Sequence, residues 1–252
     1  MKKIDLTLVC CYNNKKQLNE ELINSLDKQN VSCDRVFIDN THNRFSSAAS
    51  ALNYGASKVK TKYVIFLHQD VVFINNNSLE EIYKYIKEYD ESIIGVAGVK
   101  LEEDGIFTNI VHGKNMQPAG NYTIKKPEKV IALDECLVGM NLNTYKRIKF
   151  DEINFDNWHL YVVDMCYNAN INGLSTYVIP ASIWHTSTGN VSHSFFIGVD
   201  RLRKKYKDKY NVIKSTCITF KTNGNIRFKE FKVLKFPKMK IYKLYRSLKN
   251  KK

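Results

Sequence analysis

The sequence predicts an α/β fold with a mostly parallel central sheet flanked by helices. Short apolar, β-branched runs of strand length alternate with helix-forming segments over the first hundred residues, and polar side chains follow these runs where strands would end. The chain has 252 residues, of which 44% are hydrophobic and 25% are charged. This composition suffices to bury the core of a globular domain and excludes a disordered or fibrous chain.

Each element of this fold is predicted from its own residue pattern. The run 4–11 is apolar and ends at a turn-forming Tyr-Asn-Asn, which predicts a buried strand. Leucines at helical spacing predict a helix over 15–29, and the apolar run 31–38 completes a β-α-β unit. Only hairpin-like fragments are indicated within 101–129. We also expect helices over 46–58, 78–89 and 164–171, and strands over 63–67, 93–99, 130–142 and 174–179.

The charge of the chain is divided unevenly along its length. The net charge is +14, but residues 1–200 hold 20 Lys and Arg against 23 Asp and Glu, whereas residues 201–252 hold 19 against 2. We therefore expect one slightly acidic folded domain over 1–200, followed by a basic C-terminal extension over 201–252.

The extension alternates basic residues with aromatic and aliphatic ones. From Lys238 onward the apolar residues recur every three or four positions, which predicts a cationic helix with one apolar face. Such a helix suits an anionic membrane surface, where each Lys or Arg contributes about 1 kcal/mol. The extension could also bind nucleic acid, dock a partner subunit or keep the protein soluble. Because the sequence has no nucleic-acid-binding motif and the domain is acidic, we favour the membrane and expect no nucleic-acid partner.

Cellular location and redox state are predicted from two further features. No segment approaches the roughly 18 apolar residues that cross a bilayer, and charged residues come too early for a secretion signal. We expect a cytoplasmic protein that the extension could hold at the inner face of the membrane. The cysteines have no C-x-x-C spacing, so we expect reduced, buried thiols at Cys10, Cys11, Cys33, Cys136, Cys166 and Cys217.

Two acidic residues follow predicted strands. Asp39 comes directly after the run 31–38, and Asp70 comes three residues after the run 63–67. Because ligands bind at the carboxyl ends of parallel strands, these carboxylates could lie side by side and hold a ribose, a base or a divalent cation. The alternative is that each acid caps the helix that follows it.

Six motifs occur in a fixed order along the chain. They are Val36-Phe37-Ile38-Asp39-Asn40, Ala51-Leu52-Asn53-Tyr54-Gly55, the run from Tyr63 to Val71, Phe150-Asp151-Glu152, Asp164-Met165-Cys166 and Trp184-His185. Their order and spacing resemble family 2 glycosyltransferases, which have the Rossmann-like GT-A fold. The strings His68-Gln69-Asp70-Val71 and Trp158-His159-Leu160-Tyr161 are most similar to the bacterial branch named after a streptomycin-biosynthesis protein. The resemblance covers about residues 4–190.

This resemblance implies an inverting, metal-dependent hexosyltransferase. Such an enzyme moves a sugar from a nucleotide-sugar, here a UDP-sugar in the first place, to a saccharide or lipid-linked saccharide in surface polysaccharide synthesis. The implied cofactor is a divalent metal ion, Mn²⁺ or Mg²⁺. The resemblance also implies a nucleotide-sugar-binding half over about residues 1–100 and an acceptor half over about residues 101–200.

The implied donor site uses residues of the first half. By the resemblance, Asp39 contacts the uracil or ribose, and Asn53 and Gly55 lie near the donor. Asp70 is the last acid of the family's Asp-x-Asp and binds the metal that bridges the diphosphate, whereas His68 stands in place of the first acid. His68 could contact a phosphate or ribose, or bind Mn²⁺, which accepts imidazole better than Mg²⁺ does. The alternative is a core histidine at the end of a strand.

The implied acceptor site uses residues of the second half. His185 matches a family position where a histidine completes the metal or diphosphate site, although it could also be an ordinary loop histidine. We expect Trp158 to contact the substrate. We expect Asp134 and Glu135 to form hydrogen bonds with acceptor hydroxyls.

The general base is the least determined part of the predicted site. Inversion requires a base within reach of the acceptor hydroxyl, and the family places an acid at the start of the acceptor-side helix, where this chain has Val162. The candidates are Asp164, His159 and Asp134. We favour Asp164 and then His159, although side chains two positions apart on a helix face different ways. If the chemistry has been lost, the chain would instead be a catalytically inactive nucleotide-sugar- or glycan-binding protein.

Overall fold

The computed structural model describes residues 2–187 and 193–223 of the chain. The helices are α1 (15–26, with π-helical hydrogen bonding over Leu18–Ile23), α2 (Ala48–Ala56), α3 (Ser78–Glu88), α4 (Leu142–Ile148), α5 (Tyr161–Ile171) and α6 (His193–Tyr206). The strands are β1 (Lys2–Tyr12), β2 (Val31–Asp39), β3 (Tyr63–Leu67), β4 (Val71–Phe73), β5 (Ile93–Gly95), β6 (Ala97–Val99), β7 (Phe107–Thr108), β8 (Val111–His112), β9 (Gln117–Pro118), β10 (Glu128–Val130), β11 (Ala132–Leu133), β12 (Leu137–Asn141), β13 (Thr176–Val178), β14 (Ile183–His185), β15 (Val212–Lys214) and β16 (Thr219–Lys221). None of these described helices has the length and apolar character that crossing a bilayer requires.

Seven of the described strands form the central sheet. Their order is β10-β13-β5-β12-β3-β1-β2. Strands β13, β5, β3, β1 and β2 run in one direction, and β10 and β12 run against them. Leu8 and Val9 of β1 point to opposite faces of the sheet and are both fully buried, as expected for an apolar run covered on both faces. The predicted α/β fold with a mostly parallel sheet is therefore confirmed.

Helix α2 packs unusually close to the sheet at Gly55. A β-carbon added there would lie 2.5 Å from Cγ1 of Val9 and 2.6 Å from Cδ1 of Ile38. Only glycine lets the helix approach β1 and β2 to this distance without displacing those side chains. The Asn-x-Gly motif therefore fixes where α2 lies on the sheet.

A second sheet, ordered β4-β14-β8-β9, lies beyond the end of β3. Strand β14 pairs antiparallel with β4, so that His185 lies opposite Val71. The N–H of Thr186 then donates to the carbonyl of Asp70 at 3.0 Å. This pairing brings a segment more than a hundred positions away in the chain against the carboxyl end of β3.

Two of the predicted strands are divided in the structure. The run 93–99 forms β5 in the central sheet and β6 in a separate β11-β6-β7 sheet. The run 130–142 forms the last residue of β10, then β11 and β12, and its final residue begins helix α4, which was not predicted. Asn141 marks that helix start, because its side chain accepts the N–H of Asn143.

The folded chain continues past the domain boundary expected at residue 200. Helix α6 crosses this boundary, and its residues Val199, Leu202 and Tyr206 are buried. The hairpin β15–β16 follows and buries Ile213 and Phe220. Any separate extension thus begins after β16, and the amphipathic segment expected from Lys238 onward lies outside the described residues.

The first basic residues after position 200 pair with acidic residues. Lys214 reaches Asp104 at 3.0 Å, and Lys205 reaches both Asp151 and Asp164. The remaining pairs are Arg201–Asp156, Arg203–Asp200 and Lys204–Asp200. The composition suggested a separate basic extension from residue 201, but Arg201, Lys205 and Lys214 attach α6 and β15 to the acidic domain, whereas the two pairs with Asp200 lie within α6.

Candidate active site

The carboxyl ends of β1 and β3 border a cleft of about 260 Å³, which we call the strand-end cleft. Tyr12 and Asn13 line it from β1, His68 to Asp70 line it from β3, and Trp158 lines it from the segment before α5. The side chain of Gln69 joins the two strand ends, since its Oε1 accepts the N–H groups of Asn13 and Asn14 at 3.0 Å each. The predicted ligand-binding edge of the sheet is therefore a preformed cleft.

Three side chains converge at the edge of this cleft: His68, Asp70 and His185. Asp70 Oδ1 lies 3.3 Å from His185 Nε2 and 3.9 Å from His68 Nδ1. One ligand atom from each residue lies within 4.8 Å of the others. Two imidazole nitrogens and one carboxylate oxygen fit a divalent transition ion such as Mn²⁺ better than Mg²⁺, which prefers oxygen ligands alone. We call these residues the His-Asp-His cluster.

Burial and the contacts among its members set the protonation of the cluster, and a metal ion bound there would displace any proton held by His185. Burial raises the pKa of the Asp70 carboxyl, but the hydrogen bond from His185 and the charges of both histidines outweigh burial, so this pKa lies well below its usual range. Burial lowers the pKa of His68, which keeps its imidazole neutral and able to coordinate. Burial also lowers the pKa of His185, but the contact with Asp70 outweighs it and raises that pKa. The cluster thus offers an ionised carboxylate between two imidazoles.

A second cavity, of about 270 Å³, adjoins the first; we call it the helix-start cavity because it reaches the residues that precede α5. It shares His68 and Trp158 with the strand-end cleft. Asp134, Glu135 and His159 also line it, and most of its other lining residues are apolar. The two cavities therefore meet beside the His-Asp-His cluster, with residues of both halves of the chain around the junction.

Asp134 and Glu135 lie next to each other in the helix-start cavity but have different partners. Asp134 accepts the N–H of Cys136 at 3.1 Å and the hydroxyl of Thr216 at 2.7 Å. Burial raises the pKa of Asp134, but the charge of His185 and these hydrogen bonds outweigh burial and lower it. For Glu135, burial and the charge of Asp134 raise the pKa well above its usual value. Its Oε1 atom is buried without a hydrogen-bond partner among the described residues.

Asp39 lies at the end of β2, beside the strand-end cleft. The β1–β2 register places it opposite Tyr12, which lines the cleft and donates a hydrogen bond to it. Asp39 also accepts the N–H and the hydroxyl of Thr41 at 2.8 and 2.6 Å. These two bonds from Thr41 are the main cause of its lowered pKa. The carboxylate is exposed and ionised at the rim of the cleft.

Asn53 and Gly55, expected near the donor, do not line either cavity. The side-chain amide of Asn53 donates to the carbonyl of Phe150 at 3.0 Å and to the carboxylate of Glu152 at 3.1 Å, and its oxygen accepts the hydroxyl of Tyr145. Gly55 lies against β1 and β2. The expectation is therefore corrected: both residues position α2, whose other residues Ala48 and Leu52 face the cleft.

Asp164, the favoured base, is also not in the site. Its side chain is 2% exposed and lines neither cavity. It accepts from Lys205 Nζ at 2.8 Å and from the Tyr206 hydroxyl at 2.8 Å, so it faces α6. Burial raises its pKa against the opposing effect of Lys205. The physical reason for this correction is helix geometry: position 164 points away from the side chain of Val162.

His159 does line the helix-start cavity. Its ring packs edge-on against Phe195, with 5.6 Å between the ring centroids. Burial lowers the pKa of His159, and the charge of His68 lowers it further. Trp158 is 41% exposed and borders both cavities. Of the predicted acceptor residues, Trp158, His159, Asp134 and Glu135 are thus brought together.

Three residues of the site were not predicted. Tyr12 and Gln69 line the strand-end cleft, and the Tyr161 hydroxyl lies 3.2 Å from His68 Nε2. For Tyr12 and Gln69 a signal was present, since each follows a predicted strand at its carboxyl end. No local signal could have paired Tyr161 with His68, because 93 positions separate them in the chain.

Comparison with known proteins identifies the family of the chain. A family model described as a glycosyltransferase-like family matches residues 7–214. The chain belongs to the glycosyltransferase-like family. This membership supports the expectation of a transferase enzyme. No curated protein matches the chain by sequence.

Solved structures of other glycosyltransferases share the GT-A fold of this family member. GalNAc-T7, solved with UDP, GalNAc and Mn²⁺, has a TM-score of 0.55 at 11% identity over 80% of this chain and 47% of its own. S. aureus TarS 1–349 with UDP-GlcNAc has a TM-score of 0.53 at 16% identity over 81% of this chain and 66% of its own. A further TarS 1–349 structure has a TM-score of 0.50 at 15% identity over 82% of this chain and 64% of its own. The chain thus spans about half the length of the first protein and just under two thirds of the second.

Proposed function

We propose that this protein transfers a sugar, with inversion, from a nucleotide-sugar to a saccharide or glycolipid acceptor, using a divalent metal ion. The observation that carries the proposal is the His-Asp-His cluster between the strand-end cleft and the helix-start cavity. A UDP-sugar is the proposed donor, since the structures of GalNAc-T7 and TarS hold UDP and UDP-GlcNAc. The proposed sugar transfer follows the resemblance to family 2 glycosyltransferases. Within that family, the sequence strings at 68–71 and 158–161 favour the streptomycin-related branch.

In the proposed donor site the nucleoside lies near Asp39 and Tyr12, and the diphosphate lies against the cluster. Asp39 is ionised and exposed at the rim of the cleft, where it could accept hydrogen bonds from ribose or uracil. Asp70, His68 and His185 would hold the metal. A bound divalent ion would stabilise the leaving diphosphate as a Lewis acid, by several kcal/mol. The protein contributes the positioning of both substrates.

In the proposed acceptor site the acceptor enters the helix-start cavity. Trp158 borders both cavities and supplies an exposed ring on which a sugar could pack. Asp134, an ionised carboxylate within the cavity, supplies a hydrogen-bond acceptor for a sugar hydroxyl.

We further propose a cytoplasmic enzyme of surface polysaccharide synthesis, held at the inner face of the membrane by residues 224–252. The amphipathic spacing of the sequence supports this placement.

The proposal is tested by measuring UDP release from a panel of UDP-sugars in Mn²⁺, Mg²⁺ or EDTA. We expect release from at least one donor in Mn²⁺, little in EDTA, and a loss of about 100-fold or more in Asp70→Asn. Asp208→Asn is the matched control, because Asp208 is an exposed acid in the turn that follows α6. Wild-type activity in Asp70→Asn would contradict the metal assignment. Tight UDP binding without turnover of any donor would favour the inactive binding protein.

A further inference from the structure

The start of α5 lacks the acid expected there, but a carboxyl group from another segment lies against it. Val162 is apolar and fully buried, and Asp164 is paired with Lys205 and Tyr206 on the other side of the helix. The carboxyl group is that of Glu135, which lines the helix-start cavity together with Leu160 and Val163. Its carboxyl is in contact with the backbone N–H groups of Leu160, Tyr161 and Val162.

The backbone fixes Glu135 close to the His-Asp-His cluster. Glu135 immediately precedes Cys136, whose carbonyl accepts the N–H of His68 at 3.0 Å. That bond extends the β12–β3 pairing by one step toward the site, because Leu137 lies opposite Leu67. The backbone of Glu135 therefore lies one residue from the bond to His68, and its carboxyl lies at the start of α5, directly after the segment that holds Trp158 and His159.

The hydrogen bonding of Glu135 is incomplete. Its Oε1 atom is buried and has no donor among the described residues, whereas neighbouring Asp134 accepts hydrogen bonds from the N–H of Cys136 and the hydroxyl of Thr216. Buried polar atoms in native proteins are nearly always paired, and unpaired ones call for an explanation such as a ligand or a catalytic role. Leu160 begins α5 with φ of +66°, a conformation that leucine rarely adopts. Such strain is concentrated at functional sites.

We propose that the Glu135 carboxylate is the general base of the sugar transfer, in place of the acid absent from position 162. This inference rests on the proposed function. The acceptor O–H bond breaks and its proton passes to the carboxylate, while the acceptor oxygen forms a bond with the anomeric carbon of the donor sugar. The bond between that carbon and the diphosphate oxygen breaks, and its electron pair leaves with the nucleoside diphosphate.

His159 lines the same cavity and is the alternative base. Burial lowers its pKa, which makes the imidazole a weaker proton acceptor. Burial and the charge of Asp134 raise the pKa of Glu135, and its Oε1 atom has no hydrogen-bond donor among the described residues and is open to an acceptor hydroxyl. The ring of His159 also packs against Phe195 of α6. These contacts favour His159 as a wall of the cavity and Glu135 as the proton acceptor.

The test compares Glu135→Gln, Glu135→Asp and His159→Gln, with Glu91→Gln as an exposed control. The donor is the UDP-sugar from which wild-type protein releases UDP fastest, with water as the acceptor. We expect Glu135→Gln to lower kcat by about 100-fold or more and by clearly more than His159→Gln does, whereas the exposed control Glu91→Gln stays within about threefold. Glu135→Asp keeps a carboxylate and should be more active than Glu135→Gln. The Kd for UDP should change less than about twofold in every variant.

Two results would overturn the assignment of Glu135. One is a Glu135→Gln variant with a kcat within about threefold of wild type. The other is equal loss in Glu135→Gln and Glu135→Asp together with weaker UDP binding, which would indicate a structural role. A wild-type protein that neither binds UDP nor releases it would contradict the proposed function itself, so the two failures are distinguishable.

Discussion

The two halves of the molecule are built in different ways. In the first half, strands β1, β2 and β3 are neighbours both along the chain and in the sheet, and each ends at the same edge. In the second half, β14 joins β4 and β8, and α6 packs onto residues 151–164 from farther along the chain. Candidate residues of the first half can therefore be located from strand ends. Those of the second half depend on long-range contacts.

The two halves are joined at the site itself. His185 of the second half contacts Asp70 of the first at 3.3 Å, and the N–H of His68 donates to the carbonyl of Cys136. Neither half contains the whole His-Asp-His cluster. A change that loosens the second half should thus weaken metal binding even where the first half is intact.

The largest expected effect concerns the attachment of α6 to the second half. Lys205→Met leaves Asp164 buried without its cationic partner and removes the partner of Asp151, so we expect a loss of about 3 kcal/mol in the free energy of unfolding. The double variant Asp164→Asn/Lys205→Met should lose less, since no buried charge is then unpaired. Urea unfolding measures the free energy of unfolding of the single and the double variant.

Lys204→Met is the matched control, because the Lys204 side chain is 69% exposed and pairs with Asp200 at the surface. Exposed pairs contribute at most about 1 kcal/mol, so this variant should stay close to wild type. If Lys205→Met were no less stable than Lys204→Met, α6 would not be an integral part of the second half.

A smaller effect is expected at Gly55 in the first half. Gly55→Ala places a methyl group 2.5 Å from Cγ1 of Val9, and overpacking of this kind costs about 1–3 kcal/mol. Because Gly55 does not line the strand-end cleft, the folded fraction should bind UDP with unchanged affinity. Calorimetric titration of UDP, together with thermal unfolding, separates these two effects. Weaker UDP binding with unchanged stability would instead assign Gly55 to the donor site.

The smallest effect concerns the pH dependence of the second half. Burial raises the pKa of Asp151, but Lys205 and Asn154 outweigh burial and lower it from 3.8 to about 2. Since the folded-state pKa is depressed, the stabilisation is present above about pH 4 and is lost as the pH falls toward 2. Asp151→Asn should reduce the stability difference between these pH values by on the order of 1–2 kcal/mol. Urea midpoints of wild type and of Asp151→Asn are measured across this pH range. Equal changes in the two proteins would contradict the account.

Much of the first half could be predicted from the sequence. The apolar runs that became β1, β2 and β3 are buried strands, and the strand 63–67 was predicted to the residue. Asp70 follows β3 where the topology of a parallel sheet requires a ligand-binding side chain. Asn53 and Gly55 were misplaced because a motif gives position in the chain, whereas the direction of each side chain on α2 depends on how the helix packs against β1 and β2.

Less of the second half could be predicted, and particular residues show why. Helix α6 was missed because the basic composition after residue 200 suggested an extension separate from the domain, although Phe195, Val199, Leu202 and Tyr206 form an apolar stripe at helical spacing. Asp164 looked available as a base because its partner Lys205 lies 41 positions away. The contact of Glu135 with the start of α5 likewise arises only when α5 packs against β11, which ends two residues before Glu135.

The central claim is that both halves supply ligands to one metal-dependent donor site. Calorimetric titration of UDP in Mn²⁺ and in EDTA tests it directly, using wild-type protein, Asp70→Asn, His185→Gln and the control Asp208→Asn. We predict that Mn²⁺ tightens UDP binding at least about tenfold in wild type and in the control, which corresponds to about 1.4 kcal/mol, and that either cluster variant removes this difference. Equal UDP affinity in Mn²⁺ and EDTA, or a His185→Gln variant that keeps the full metal effect, would contradict the claim.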